Sequence, residues 1–344
     1  MSASVLVVDS PNGQARSALA AVRALAAGGW RAVVATSARC SLAAASRHAS
    51  GVVNVPPTYD DTFVSAVRVE LARSHHAGVL AATDTALVAL GLPGAALVDK
   101  RAHDRLARAA GLELPPTEVF ADVTALRASA NSLAYPVVVK PAVSTAPARR
   151  VDTPGGLGEL SYDGAVLVQP FLTDGLRAIA GVRWQGTILA AVQQRYLRTW
   201  PVDCGTAAAA ETVTVDEELL AGVNAALDDY DGVFQLQLAG RYVLDLNPRI
   251  YGSLPLAVAA DANLPAIWAA AMTGARVAPV RGRPGVRYRW IEGDLRHLVT
   301  TARRRARPAL WQLLPRRGTA HSTESLSDPR PMARRLQHAV GRCG

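Results

Sequence analysis

The chain has 344 residues, of which half are hydrophobic and 19% charged, with a formal net charge of +9. That length supports two or three domains with a real core, and the composition excludes a largely disordered chain. No apolar stretch approaches a membrane span, and three scattered cysteines (Cys40, Cys204, Cys343) without a Cys-x-x-Cys pair argue against a disulfide framework or a zinc site and fit a reducing cytoplasm.

Val5 to Val8 is a short apolar run of the kind found in buried parallel strands. It is too short for a signal peptide and lacks a basic segment before it. An Ala-rich helix is predicted over 15–27, stopping at Gly28-Gly29. Strands are predicted over 31–35, 52–55 and 78–82. Between the last two, residues 60–74 have helical spacing, with Phe63, Val64, Val67 and Leu71 on one stripe. A short helix is predicted over 84–90. This alternation predicts a small parallel α/β domain, Rossmann-like, over residues 1–96. Ser10 to Gly13 holds a single glycine, so no dinucleotide fingerprint is assigned. The adjacent His75 and His76 have no other metal ligands near in sequence and are read as surface residues.

The character changes near Gly91. A helix opens at Asp99-Lys100 and ends at Gly111. A strand to Phe120 and a helix over 122–132 follow, then Tyr135-Pro136-Val137-Val138-Val139-Lys140-Pro141, a β-branched strand ending in lysine. Of 37 basic residues only two are Lys, Lys100 and Lys140. A position that keeps Lys in so Arg-rich a chain suits a compact point charge on a flexible stem. Residues 165–171 form a strand. Residues 181–184 and 187–192 flank Gln185-Gly186 as a hairpin. Arg195 and Arg198 follow, then a loop, a strand at Glu211-Thr212-Val213 and a helix over 216–228.

Residues 233–238 and 242–247 are predicted to pair as an antiparallel hairpin across 239–241. Asp245 and Asn247 are two apart and share a strand face, where Gln235 and Gln237 can join them. A carboxylate and an amide oxygen on one face suit a hard cation such as Mg²⁺. Arg249 keeps the same parity and can hold a planar oxyanion. Residues 254–260 and 264–272 are helical. From Arg281 onward stand 15 arginines against 4 acidic residues, a net of +11 that leaves about −2 for the first 280 residues. A strand at 287–290 and a basic helix at 295–305 are predicted there, the helix packing through Leu295, Leu298 and Val299. Residues 322–344 are polar and are expected to be mobile and dispensable.

Asp245-Leu246-Asn247-Pro248-Arg249, followed by Gly252-Ser253, resembles the metal-binding signature of the ATP-grasp superfamily. The nearest likeness is to the ATP-binding domain of carbamoyl phosphate synthase and its stand-alone relatives. The Asp-Lys pair at 99–100 and the Tyr-Pro-Val-Val-Val-Lys-Pro run are similar to that family's first subdomain. The resemblance covers roughly 97–274 well and the first 96 residues loosely. It departs in two places: the family usually carries Glu where this chain has Asp245, and several glycines where this chain has Ala142 to Arg150.

The resemblance implies an N-terminal α/β domain (1–96), a two-subdomain ATP-grasp domain with largely antiparallel sheets (97–280) and a basic extension (281–344). It implies ATP with Mg²⁺ or Mn²⁺. Lys100 and Lys140 would meet the phosphates, and Ser144, Thr145, Arg149 and Arg150 would replace the glycines of the phosphate flap. The hinge at Gln169 and Phe171 would receive adenine. Asp174 would take the ribose, or simply be a turn residue beside Gly175. Asp245, Asn247 and Gln237, with Gln235 as the alternative to the last, would hold the metal, and Arg249 would stabilise the transferring phosphoryl. Arg195, Arg198, Glu211 and Ser253 would face the substrate. The implied activity is ADP-forming ligation of a small carboxylate to an amine through an acyl phosphate. The alternatives are a carboxylate kinase and an ATP-binding regulatory protein without turnover. No membrane partner is expected. Nucleic acid is not expected either, because the Arg-rich tail lacks interleaved aromatics. A homodimer is the oligomeric alternative.

Overall fold

The computed structural model describes residues 3–143, 146–303 and 318–341. Strands β1 (Ser4–Val8), β2 (Arg31–Thr36), β3 (Ala49–Asn54) and β4 (His76–Ala81) form a parallel sheet in the order β3-β2-β1-β4. The central strand alternates its apolar residues between two cores. Val5 and Val7 pack toward helix α1 (Arg16–Ala27). Leu6 and Val8 pack toward α3 (Phe63–Arg73) and α4 (Asp84–Ala89), a short α2 (Leu42–Ala45) having preceded them. Burial on both faces is what a continuous apolar strand requires. Of the predicted α3 stripe, Phe63 and Val67 are buried, whereas Leu71 is exposed.

Helix α5 (His103–Ala109) follows a short 3₁₀ turn at Lys100–Ala102. Strand β5 (Glu118–Phe120), helix α6 (Val123–Ala128) and strands β6 (Val137–Pro141), β7 (Arg149–Val151) and β8 (Val166–Pro170) make a four-stranded antiparallel sheet in the order β5-β8-β6-β7. Asp122 starts α6 by accepting a hydrogen bond from the Ala125 N–H at 2.7 Å, a side-chain cap.

The largest sheet begins with β9 (Leu176–Trp184) and β10 (Thr187–Trp200), joined by Gln185 and Gly186, both at positive φ as a tight hairpin turn demands. Strand β11 (Thr206–Val213), helix α7 (Glu217–Ala226), strands β12 (Gly232–Ala239) and β13 (Tyr242–Asn247), helices α8 (Leu254–Ala259) and α9 (Leu264–Met272), and the short β14 (Val280–Arg281) and β15 (Arg287–Arg289) follow. Helix α10 (Ile291–Arg303), β16 (Ala320–His321) and α11 (Arg330–Ala339) complete the chain. The sheet runs β13-β12-β9-β10-β11-β15-β16, with β14 beside β10. Helices α1, α8 and α9 lie between this sheet and the parallel one, in a core containing Leu25, Val182, Leu254 and Trp268. The approach is close: a Cβ on Gly28, at the end of α1, would lie 2.4 Å from Ala266 of α9. Helices α5 and α7 pack Leu106, Leu220 and Val223 against the other face, on Ile179 and Leu236. No helix among the described residues is long and apolar enough to cross a membrane.

From residue 280 onward the chain adds β14, β15 and β16 to the largest sheet. Residues 322–341 differ from expectation. Ser322, Thr323 and Asp328 are buried. The Asp328 carboxylate accepts hydrogen bonds from Ser46 Oγ at 2.6 Å, Arg47 N at 3.0 Å and Arg23 Nε at 2.9 Å. Arg335 of α11 donates to Glu292 at 2.6 Å and to Gln14 at 3.0 Å. Of the apolar stripe on α10, only Leu298 is buried; Leu295 and Val299 are about half exposed. Polar strapping that contacts residues 300 positions away is invisible to local hydrophobic pattern. Removal of residues 322–344 is therefore expected to cost about 2–4 kcal/mol, because Arg23 and Ser46 lose a buried carboxylate. Thermal melting of the truncated protein checks this; an unchanged melting temperature would contradict it.

Candidate active site

Hairpin β12–β13 sets Gln235 opposite Asn247 and Gln237 opposite Asp245, so the polar residues of the two strands share a face as their spacing implies. Strand β6 meets this face from the smaller sheet. Its Val137 and Val139 point into the core. Val138 and Lys140, on the other parity, line a cleft of about 610 Å³, a volume typical of small-molecule sites. Lys140 Nζ donates to the Leu244 carbonyl at 2.6 Å. Lys100 is 4% exposed, and its Nζ lies 3.3 Å from Asp245 Oδ1. The chain's only two lysines thus converge on one carboxylate.

Burial pushes the Lys140 ammonium down to about 8; Asp245 opposes the shift and the like charge of Lys100 adds to it. Burial also works against the charge of Asp245, but Lys100, Lys140, His103 and Arg249 together hold its carboxyl below the usual range. Behind it, burial lowers the pKa of His103, whose Nε2 meets the Leu97 carbonyl at 3.1 Å. Asp245 Oδ1 is a buried oxygen with no hydrogen-bond partner among the described residues.

Arg249 also faces the cleft. Its Nε donates to Asp84, a buried residue at the start of α4, its Nη2 to Asn247 Oδ1 at 2.8 Å and its Nη1 to the Ile250 carbonyl at 3.1 Å. The guanidinium therefore ties the hairpin to the N-terminal sheet, with its charge already matched by Asp84. Gln237 lines the cleft and donates from Nε2 to Gln235 Oε1 at 3.4 Å. Gln169 lines it as well, its Nε2 donating to Thr117 Oγ1 at 2.8 Å. Phe171, another wall residue, lies under the Arg150 guanidinium at 4.1 Å. Arg150 spans to Asp203, Arg149 pairs with Glu159, and Ser144 and Thr145 lie outside the described residues.

Five expected residues are placed elsewhere. Asp174 is exposed beside Gly240 and is not part of the cleft wall. Arg195 pairs with Glu211 at 2.5 Å on an exposed flank of the sheet, and Glu211 also meets Arg287 at 3.6 Å. Ser253 is buried beneath the hairpin, accepting from Gln194 Nε2 at 3.0 Å and Gln235 Nε2 at 3.3 Å. Arg198 is buried against Asp294. The β10–β11 register shifts between Tyr196 and Arg198. That irregularity stops Arg198 from following Tyr196 onto the cleft face.

The residues that do form that wall are Tyr196, Trp200, Thr206 and Trp290, with Arg177 nearby. Aromatic residues at 196 and 200 carry no periodic signal across a bulge. The Asp84 contact had one available cue, its place just after a parallel strand, where ligands of open α/β sheets gather. Cys204 is a free thiol on the cleft wall, whereas Cys40 takes part in a disulfide, contrary to the expected absence of one.

As a metal site, the hairpin offers one carboxylate, Asp245, with the amide oxygens of Asn247 and Gln237; no group of three His, Cys, Asp or Glu suited to a metal occurs among the described residues. The Asp245 oxygen, ion-paired with Lys100 but without a hydrogen bond among the described residues, lies beside two amides and fits a hard cation shared with ligand oxygens.

No family model and no curated protein sequence matches the chain. Solved structures do. N5-carboxyaminoimidazole synthetase from Staphylococcus aureus, complexed with ADP, has a TM-score of 0.59 and 15% identity over 81% of this chain and 79% of its own. The L-amino acid ligase from Bacillus licheniformis has a TM-score of 0.54 and 17% identity over 78% of this chain and 74% of its own. The biotin carboxylase domain of Hydrogenobacter thermophilus 2-oxoglutarate carboxylase, in complex with MgADP, ADP and bicarbonate, has a TM-score of 0.58 and 14% identity over 83% and 74%. At such identities the likeness is one of fold.

Proposed function

This chain has the ATP-grasp fold, and we propose that it is an ATP-dependent, ADP-forming carboxylate–amine ligase. The observation that carries the reading is the buried Lys100–Asp245–Lys140 cluster on the floor of the cleft, beside Asn247 and Gln237. Two buried cations around one carboxylate favour a polyanion bound with a divalent metal over a neutral ligand. Structures of this fold have ADP and MgADP bound.

Lys100 and Lys140 neutralise phosphate oxygens of ATP. Gln169 and Phe171 border the adenine. Asp245, Asn247 and Gln237 would hold Mg²⁺ or Mn²⁺. The metal, when bound, neutralises charge on phosphate oxygens. A substrate carboxylate oxygen attacks the γ-phosphorus, the bond to the β–γ bridging oxygen breaks, and ADP leaves. The amine nitrogen then attacks the acyl carbon, phosphate departs and the nitrogen loses a proton. Arg249, held by Asp84 and Asn247, presents its remaining N–H donors to the transferring phosphoryl. The protein positions and neutralises; it forms no covalent bond to the substrate.

A panel of small carboxylic acids, assayed with and without amino acids as amines, tests the reading. ADP and phosphate release requiring both is expected. Release with the acid alone identifies a carboxylate kinase, and ATP binding with no release identifies a non-turnover protein.

Lys140 adds a pH signature. Its proton is lost as pH rises through about 8 in the free protein, whereas bound phosphates favour the charged form. ATP affinity should fall by up to about tenfold between pH 7 and pH 9, with proton uptake on binding near pH 9. The stability sign is opposite. Between the folded value and the unfolded value of about 10.4, the unfolded chain binds more protons, so this lysine makes stability rise with pH. Calorimetry in buffers of different ionisation enthalpy measures the uptake; equal affinity at both pH values without uptake would contradict it.

A further inference from the structure

Arg16 is the first residue of α1, and its guanidinium reaches two residues of the cleft wall, Thr206 and Trp290, from behind the lining. Nη1 donates to Tyr288 OH at 2.9 Å and to Ser322 Oγ at 3.3 Å, and Nη2 to Thr206 Oγ1 at 3.4 Å. The guanidinium carbon sits 3.7 Å from the centroid of the Trp290 ring. Thr206 and Trp290 both line the cleft. These partners are all neutral. Arg249 is matched by Asp84, and Arg198 and Arg289 by Asp294, but Arg16 forms no ion pair with a carboxylate among the described residues.

Its position is electrostatically costly. A cation in the first turn of a helix opposes the macrodipole, and α1 has no acidic residue there to offset it. The surroundings nonetheless hold it in place. Tyr288 OH donates its hydrogen bond to the Gly252 carbonyl at 3.1 Å, leaving its oxygen to accept from Arg16. A Cβ on Gly252 would approach Arg16 Nη2 to 3.1 Å, so the glycine after the Asn-Pro-Arg run gives the guanidinium its room. An aromatic face and three hydroxyls orient the cation without neutralising it.

We propose that Arg16 is the anion anchor of this wall, receiving an oxyanion, carboxylate or phosphate, carried by a substrate of the cleft. The inference deepens the ligase reading and rests on it only for the ligand's role as substrate. A guanidinium has five N–H donors, and three are engaged here, so N–H groups remain for an oxyanion.

The test titrates acetate and inorganic phosphate separately into the full-length protein saturated with ADP and Mg²⁺, as wild type, Arg16→Gln and Arg16→Lys. At least one anion binds the wild type, with affinity weakened about tenfold or more in Arg16→Gln and partly kept in Arg16→Lys. The anion that binds more tightly names the source. Equal affinity in wild type and Arg16→Gln, or no binding of either anion to the wild type, overturns the anchor. Failure of ADP to bind counts against the ligase reading alone, since the anion titration still reports on Arg16. If Arg16→Gln does not fold, tryptophan fluorescence decides: the anion must perturb the wild-type signal, and Trp290→Phe must remove that change. Persistence of the change in Trp290→Phe overturns the proposal.

Discussion

Asp245→Asn should lower Mg²⁺-dependent ADP release by about two orders of magnitude or more while leaving the protein folded. Asn has nearly the same shape, so packing on β13 is kept. What disappears is the one carboxylate among the proposed metal donors and the counter-charge of Lys100, 3.3 Å away. The loss is double. A hard cation loses its charged ligand, and two neighbouring buried ammoniums lose the group that opposes the depression of Lys140. Folding suffers less, because Asn keeps an oxygen for the neighbouring ammoniums and Lys140, already pushed down to about 8, can shed its proton. ADP release at saturating Mg²⁺, with circular dichroism as the control, measures the effect. Wild-type release from a folded variant would remove Asp245 from the site.

Asp294→Ala should cost about 3–5 kcal/mol of stability. Asp294 is fully buried and accepts charge-assisted hydrogen bonds from Arg198 and Arg289, whose side chains are 9% and 15% exposed. Its removal strands two largely buried cations, and breaking a buried pair from one side is far costlier than never having built it. The melting temperature should fall by roughly 5–10 °C. Nucleotide binding by the protein that remains folded should persist, because neither Arg198 nor Asp294 lines the cleft. A variant of unchanged stability with altered substrate dependence would instead restore Arg198 to the substrate.

These two sites mark where sequence could and could not be read. Asp245 and Asn247 lie on one short strand, and their common face follows from period two alone. The hairpin partner is eight residues upstream of Asp245 in the case of Gln237, with only a tight turn between. The two lysines were legible because the chain otherwise uses Arg. Arg198 was not, because the register shift after Tyr196 reverses the parity on which any facing argument depends. Its true partner is 96 residues away. The same holds for Arg16, which meets Tyr288 and Ser322 at separations of 272 and 306. The continuous apolar run of β1 predicted the N-terminal sheet well, since a short uninterrupted Val and Leu run suits a strand covered on both faces. The place of residues 318–341 was hidden because Asp328 and Arg335 hold it by polar contacts, which leave no hydrophobic period.

The central claim is that a carboxylate oxygen attacks the γ-phosphorus of ATP in this cleft. Once the acid panel yields a substrate pair, that acid labelled with ¹⁸O in its carboxylate tests the claim most directly, with mass spectrometry of the released phosphate as the readout. The account predicts one carboxylate oxygen transferred to phosphate in each turnover, with ADP as the nucleotide product and the label lost in Asp245→Asn together with turnover. Phosphate free of the label, or AMP with pyrophosphate as products, would contradict it.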